Sequence, residues 1–395
     1  MDALTTLLDL PEEERAGRGL LHTSAEIAQQ PRTWDSTLRV FQKHSSALAE
    51  FLRGSGFDNA SFPRPIVFLI GAGSSDYVGR CLAPLLRRLW RCEVIAVPST
   101  SLLIHAEDWL IPGQRYLWIS FSRSGDSPEG VAVLENALRR HPDVRHIIIS
   151  CNAQGQMIRC ATRNPQAFGV ALDDFVNDRS LAMTSSFSNM VVFGQCMAYI
   201  GDSTRYETII RQLIEAGDAF LPVAADAAAK LAEEPYQRVC FIGTGALEGV
   251  AVESGLKVLE LTAGRVLTMA ESVMGLRHGP MAALDQSTLL VAFVSSGDRV
   301  ARYERDLLQE VMRKKLVKTQ IAVCGSSKLA LDGVAERHIS PGIQTAVPDD
   351  CRPPVDILFG QLLGLFFSLR CKLMPDRPSP GGAISRVVQD VNIYA

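Results

Sequence analysis

The sequence predicts a doubly wound α/β protein made of two tandem units, each a parallel sheet flanked by helices in a flavodoxin-like three-layer sandwich. Three observations carry that expectation. Six strand-length runs are continuously apolar, which marks strands covered on both faces. Helical patterns alternate with those runs. The order of runs and glycine loops in the first half is repeated in the second.

The candidate strands are IVFLI (66 to 70), YLWISF (116 to 121), HIIIS (146 to 150), RVCFIG (238 to 243), TLLVAFVS (288 to 295) and TQIAVCG (319 to 325). SPEGVAVLENALRRH, from Ser127, and ARYERDLLQEVMRKK, from Ala301, are helical between them. In the first half GAGSS starts at Gly71 and SFSRSGD reaches Ser122 fifty-one residues later. In the second, GTGALEG starts at Gly243 and FVSSGD reaches Ser295 after fifty-two. This spacing divides the chain into a helical lead-in (1–45), a first unit (46–215), a second unit (216–374) and a short tail (375–395).

Bulk composition excludes several classes. The 395 residues are 47% hydrophobic and 21% charged, enough for two packed cores. With a formal net charge of -3 and no basic block, nucleic acid is not an expected partner. The acidic start MDALTTLLDLPEEERAG is unlike a secretory signal, and runs such as ILFGQLLGLFF are too short for a bilayer span, so neither export nor membrane insertion is expected. Nine cysteines (81, 92, 151, 160, 196, 240, 324, 351, 371) never form CxxC and sit mostly in apolar runs, as reduced thiols of a cytoplasmic protein do. No HExxH and no tight His/Cys cluster points to a metal.

The chemistry concentrates in three segments. SFSRSGDSPEG follows a buried strand, and Ser127-Pro128-Glu129 is a helix start with a hydroxyl cap, proline at the first position and an acid in the first turn. Hydroxyls of Ser122, Ser124 and Ser127 around a turn at Gly125 would cradle a phosphate at that helix N-terminus, although a capped turn would use the same residues. IGAGSSDYVGR places Gly71, Gly73, Ser74 and Ser75 after another strand, and ligands of such sheets bind beyond the strand ends. A dinucleotide reading is weaker, because the third glycine comes three places late and the single acid Glu93 is a poor ribose anchor.

In the second half, Glu253, Lys257 and Glu260 fall at i, i+4 and i+7 on one helix face, a pattern shared by solvated stripes and by acid/base sites. GLRHGP holds His278 in an irregular segment, where an imidazole would relay protons near neutral pH.

As a set, FIGAGSSDYVGR, SFSRSGDSPE, ALEGVAVESGLKVLE and LRHGP resemble the duplicated sugar isomerase (SIS) fold of the isomerase domain of glucosamine-6-phosphate synthase, over about residues 46 to 395. No counterpart of the synthase's glutaminase domain is expected. GAGSSDYVG, ESVMGLRHGPM and SRVVQDVNIY resemble in particular the AgaS group of galactosamine-6-phosphate deaminase/isomerases, also described as tagatose-6-phosphate ketose/aldose isomerases.

The resemblance implies that Ser75, Ser122, Ser124 and Ser127 hold the sugar phosphate, that Ser74 and Arg123 line the same loops, and that Ser185 contacts substrate. It implies that Glu260 moves the proton between C1 and C2, with Glu253 and Lys257 lining the pocket. His278 would open the sugar ring from the second subunit of a homodimer. No metal or organic cofactor is implied. Where the synthase has an imine-forming lysine, this chain has Arg386, whose guanidinium stays protonated and cannot attack a carbonyl. Arg386 would instead close the pocket or contact an anion.

The expected reaction is conversion of galactosamine 6-phosphate to tagatose 6-phosphate and ammonia. Plain aldose/ketose isomerisation, deglycation of phosphorylated fructosamines and non-catalytic sugar-phosphate sensing are the alternatives on the same fold.

Overall fold

The structure is a computed structural model and describes residues 1–57, 63–325, 333–343, 347–388 and 391–394. Among the described residues, ten strands form two five-stranded sheets, with every pairing parallel. The first sheet holds β1 (Ile66–Gly71), β2 (Val94–Pro98), β3 (Tyr116–Ser122), β4 (Arg145–Ser150) and β5 (Ala167–Ala171) in the order β2-β1-β3-β4-β5. The second holds β6 (Arg238–Gly243), β7 (Leu267–Ser272), β8 (Thr288–Val294), β9 (Thr319–Cys324) and β10 (Arg337–Ile339) in the order β10-β9-β8-β6-β7. Counted within each sheet, both have the flavodoxin-like order, with a switch point between the first and third strands.

All six expected strands are present. The four that the apolar-run criterion missed (β2, β5, β7 and β10) are the sheet edges, and each is only partly buried.

The chain divides into two compact units. One comprises Thr33–Asp178, Ser185–Tyr206 and Ile384–Ala395, and contains the first sheet. The other comprises Met1–Arg32, Arg179–Thr184 and Glu207–Ala383, and contains the second.

In the first-sheet unit, helix Ser74–Trp90 packs against helix Ser185–Ala198, every residue of which is buried. Helices Ser99–Trp109 and Pro128–Arg140 cover the other face over Phe68, Ile70 and Trp118. In the second-sheet unit, helix Ala246–Leu261 packs against helix Pro353–Arg370, which is buried from Pro353 to Ser368. The opposite face carries helix Asp298–Lys314 and the segment from Val273 to Leu284 over Cys240, Ile242, Leu290 and Ala292.

The glycine loops show why the duplication is visible in sequence. A Cβ on Gly71 would lie 2.2 Å from the Ser75 carbonyl carbon, and one on Gly243 would lie 2.2 Å from the Leu247 carbonyl oxygen. Both helices therefore start closer to their strands than any side chain permits. Gly73 and Gly245, which precede those helices, share positive φ of 56° and 62°.

Candidate active site

At the switch point of the first sheet, the β1 and β3 C-terminal ends carry the glycine-serine loop and the serine loop side by side. Ser74 and Ser75 are buried in the first turn of their helix, and Ser122 and Arg123 are buried at the end of β3. Gly125 takes φ of 66°. The Ser122 hydroxyl accepts the Gly125 N–H at 3.0 Å, and the Ser124 hydroxyl accepts the Asp126 N–H at 3.2 Å.

An oxygen that accepts a backbone N–H keeps its own proton, so both serines can still donate outward to an anion. Ser127 occupies the N-cap position before Pro128 but makes no capping hydrogen bond with its side chain. The cap was expected from the sequence; Pro128 stands at the first helical position as expected, but the Ser127 hydroxyl does not accept the N–H groups of the next two residues. Among the described residues, the Ser124 N–H also has no acceptor.

Residues that sequence reasoning did not single out hold this loop. Asn152 donates to the Ser124 carbonyl at 2.8 Å, Asp126 accepts the Gln156 N–H at 2.8 Å, and the Met157 N–H reaches the Gly125 carbonyl at 2.9 Å. Their stretch, CNAQGQM, reads as an ordinary turn.

Beside the loop, the Arg123 guanidinium donates to the Arg386 carbonyl. Arg386 donates to the Asp178 carbonyl at 2.7 Å and to the Asn177 side-chain oxygen at 2.6 Å. The buried Asp178 carboxylate accepts the N–H groups of Ser185 and Ser186 at 3.0 and 2.9 Å, fixing the start of helix Ser185–Ala198. Arg123, Arg386 and Ser185 are thus brought together through Asn177 and Asp178. Burial pushes the neighbouring Cys151 thiol far above its ordinary value, so it is no nucleophile. In the tail motif SRVVQDVNIY, Gln389 and Asp390 lie outside the described residues.

In the second-sheet unit, helix Ala246–Leu261 carries the charged stripe. Glu253 and Lys257 are fully buried, while the Glu260 side chain retains 23% exposure. Lys257 Nζ lies 2.5 Å from Glu260 and 3.4 Å from Glu253. The stripe is therefore not a solvated face. A Cβ on Gly255 would point at Phe241, Thr268 and Ala270 of the sheet, so at 100° per residue the stripe faces away from it.

His278 follows the short turn Gly275–Arg277, and its N–H reaches the Gly275 carbonyl at 2.8 Å. Its side chain is exposed, and among the described residues its imidazole has no partner. The neighbouring Arg277 donates to Glu310 at 2.8 Å. Leu276 and Leu284, on either side of His278, pack with Cys240 and Ile242. Phe241, which helix Ala246–Leu261 covers, points the other way because strand side chains alternate. His278 and Glu260 therefore lie on opposite faces of the second sheet. The structure brings Glu253, Lys257 and Glu260 together and leaves His278 apart from them.

No group of three or more His, Cys, Asp or Glu among the described residues could hold a metal ion, and no helix among them is long and apolar enough to cross a membrane.

Two flavodoxin-like sheets, one with a hydroxyl-lined switch point and one with a buried Glu-Lys-Glu helix, define a double sugar-isomerase-fold protein. The C-terminal domain of the glucosamine-fructose-6-phosphate aminotransferase of Francisella tularensis has the same fold, with a TM-score of 0.73 at 16% identity over 89% of this chain and 96% of that one.

The D-galactosamine-6-phosphate deaminase AgaS of Escherichia coli O157:H7 is 35% identical over 374 residues, 94% of this chain and 95% of that protein. The enzyme of the same name from Shewanella sp. strain ANA-3 is 32% identical over 390 residues, 98% and 95%. The crystal structure of tagatose-6-phosphate ketose/aldose isomerase from Escherichia coli matches with a TM-score of 0.84 at 31% identity, over 94% of this chain and 96% of that one. No protein-family model matches. The chain belongs to the AgaS family of sugar-phosphate deaminase/isomerases.

Proposed function

We propose that this protein converts galactosamine 6-phosphate to tagatose 6-phosphate and ammonia. The observation that carries the reading is the buried Lys257 between Glu253 and Glu260, with Glu260 the member of the three that reaches solvent. A buried lysine in that position gives the Glu260 carboxylate a fixed partner and orientation, as a positioned general base requires.

The hydroxyls of Ser75, Ser122, Ser124 and Ser127 hold the 6-phosphate, with Ser74 and Arg123 lining the loops and Ser185 touching the sugar. Arg386, its guanidinium engaged by Asn177 and Asp178, anchors the tail beside Arg123. His278 opens the pyranose by passing a proton between O5 and O1. Glu260 takes the C2 proton to give an enolamine and returns it to C1, which leaves a ketimine at C2. Water adds to the ketimine, and ammonia departs as the C2 carbonyl forms. With a 2-hydroxy aldose phosphate the same residues isomerise without releasing ammonia.

The working form is a cytoplasmic homodimer in which His278 serves the partner's site. The position of His278 across the sheet from Glu260 supports this arrangement. No step needs a metal or organic cofactor.

The test is ammonia release from galactosamine 6-phosphate and glucosamine 6-phosphate, measured side by side. Ammonia from the galacto epimer supports the reading. Ammonia from neither, with turnover of tagatose 6-phosphate to its aldose, would replace deamination by isomerisation.

A further inference from the structure

The second sheet carries a loop that can be laid over the serine loop of the first without a gap: Phe293, Val294, Ser295, Ser296, Gly297 and Asp298 align with Phe121, Ser122, Arg123, Ser124, Gly125 and Asp126. Both loops leave the third strand of their sheet at its switch point and lead into a helix. Their backbone donors, however, meet different partners. The Ser124 N–H has no acceptor among the described residues. The Ser296 N–H points at both oxygens of Asp349, at 3.0 and 2.9 Å.

Around Asp349 the surroundings suit an oxyanion. Arg352 is fully buried, and its Nη1 donates to Asp349 at 2.7 Å, to the Val294 carbonyl at 2.9 Å and to the Ser296 hydroxyl at 3.2 Å. Its Nη2 lies 3.0 Å from the buried Asp356 carboxylate. Glu304 accepts both the N–H and the hydroxyl of Ser295, at 2.7 and 2.8 Å, so that flank of the loop is closed. The Asp349 side chain is 28% exposed, so its seat opens to the surface.

Asp349 supplies a carboxylate that lies on the Ser296 N–H and against the buried Arg352 guanidinium, the donor set that recognises phosphate.

We infer that the second sheet retains a seat for a tetrahedral oxyanion such as phosphate, and that Asp349 occupies it as an internal surrogate. The chain thereby presents its open loop donors at one switch point, that of the first sheet. The inference rests on the second sheet alone and not on the reading of the first loop.

The test compares full-length wild type with Asp349→Ala and Asp349→Ser, titrating each with inorganic phosphate in a calorimeter and following its melting temperature. The Ser substitution also empties the seat and keeps a polar side chain near Arg352 should the Ala variant fail to fold. The expected result is one more phosphate equivalent per chain in either variant than in wild type, with a phosphate-dependent rise in melting temperature that exceeds the wild-type rise. Equal stoichiometry and equal thermal response in all three proteins would overturn the inference. Any phosphate held at the serine loop is common to all three, so failure of the proposed function would lower every count equally and leave the difference intact.

Discussion

Glu260→Gln and His278→Asn, each inactive alone, should complement one another when combined in one dimer. Glu260 lies on the outer side of a helix that covers one face of the second sheet, and His278 lies in the layer on the other face. A helix is about 10 Å across and packed layers are spaced by about as much, so the two side chains of one chain are separated by roughly 15 Å or more. A hexose ring is far smaller.

If each site takes Glu260 from one chain and His278 from its partner, a mixed dimer contains one site with both groups intact and one with neither. Co-expression with two different tags and sequential purification isolates the mixed dimer. It should show about half the wild-type specific activity, since one of two equivalent sites is restored. Were both residues drawn from one chain, each site of the mixed dimer would carry one lesion. Activity no greater than that of the parent variants would refute the shared-site argument.

Three further outcomes follow from the geometry. Ser127→Ala should leave stability within about 0.5 kcal/mol of wild type, because its hydroxyl makes no capping bond. The same change should raise KM roughly 10- to 100-fold, the value of a hydrogen bond to a charged group at about 1.5–3 kcal/mol; an unchanged KM would remove Ser127 from the phosphate site. Lys257→Met leaves the wholly buried Glu253 without its cation, and urea denaturation should show a loss of about 3–5 kcal/mol.

His146 is buried on β4, with its ring against Trp118, and burial pushes its imidazole down to about 3. The unfolded chain therefore binds a proton that the folded chain refuses. The stability from this group is fully present above the ordinary histidine value of 6.5 and is lost as pH falls below it towards 3. Relative to His146→Leu, the wild type should lose up to about 1.4 kcal/mol per pH unit in that window, as read from denaturation midpoints at pH 7, 6 and 5.

The parts of the fold that the sequence made legible are those where burial is complete. Central strands such as β3 and β8 are covered on both faces and appear as unbroken apolar runs. Of the edge strands, β7 escaped because LTMAES is partly exposed and mixes polar with apolar residues, whereas VIAVP of β2 and AFGVA of β5 are apolar but short. The serine loops and the Glu-Lys-Glu stripe were visible as local patterns. What local pattern could not convey was the burial of that stripe, because spacing of i, i+4 and i+7 is the same for a solvated helix. The difference comes from helix Pro353–Arg370, where Gly364 lets the Lys257 backbone approach: a Cβ there would lie 3.1 Å from the Lys257 carbonyl oxygen. Asn177 and Asp178 were equally hidden, since their partner Arg386 lies about two hundred residues along the chain.

The separation of phosphate grip from proton transfer is the central claim, and the kinetics of Glu260→Gln test it most directly. Turnover of galactosamine 6-phosphate should fall roughly 10²- to 10⁴-fold, as expected when a general base is lost, while affinity for inorganic phosphate at the serine loop stays at its wild-type value. Turnover equal to that of the wild type would contradict the account.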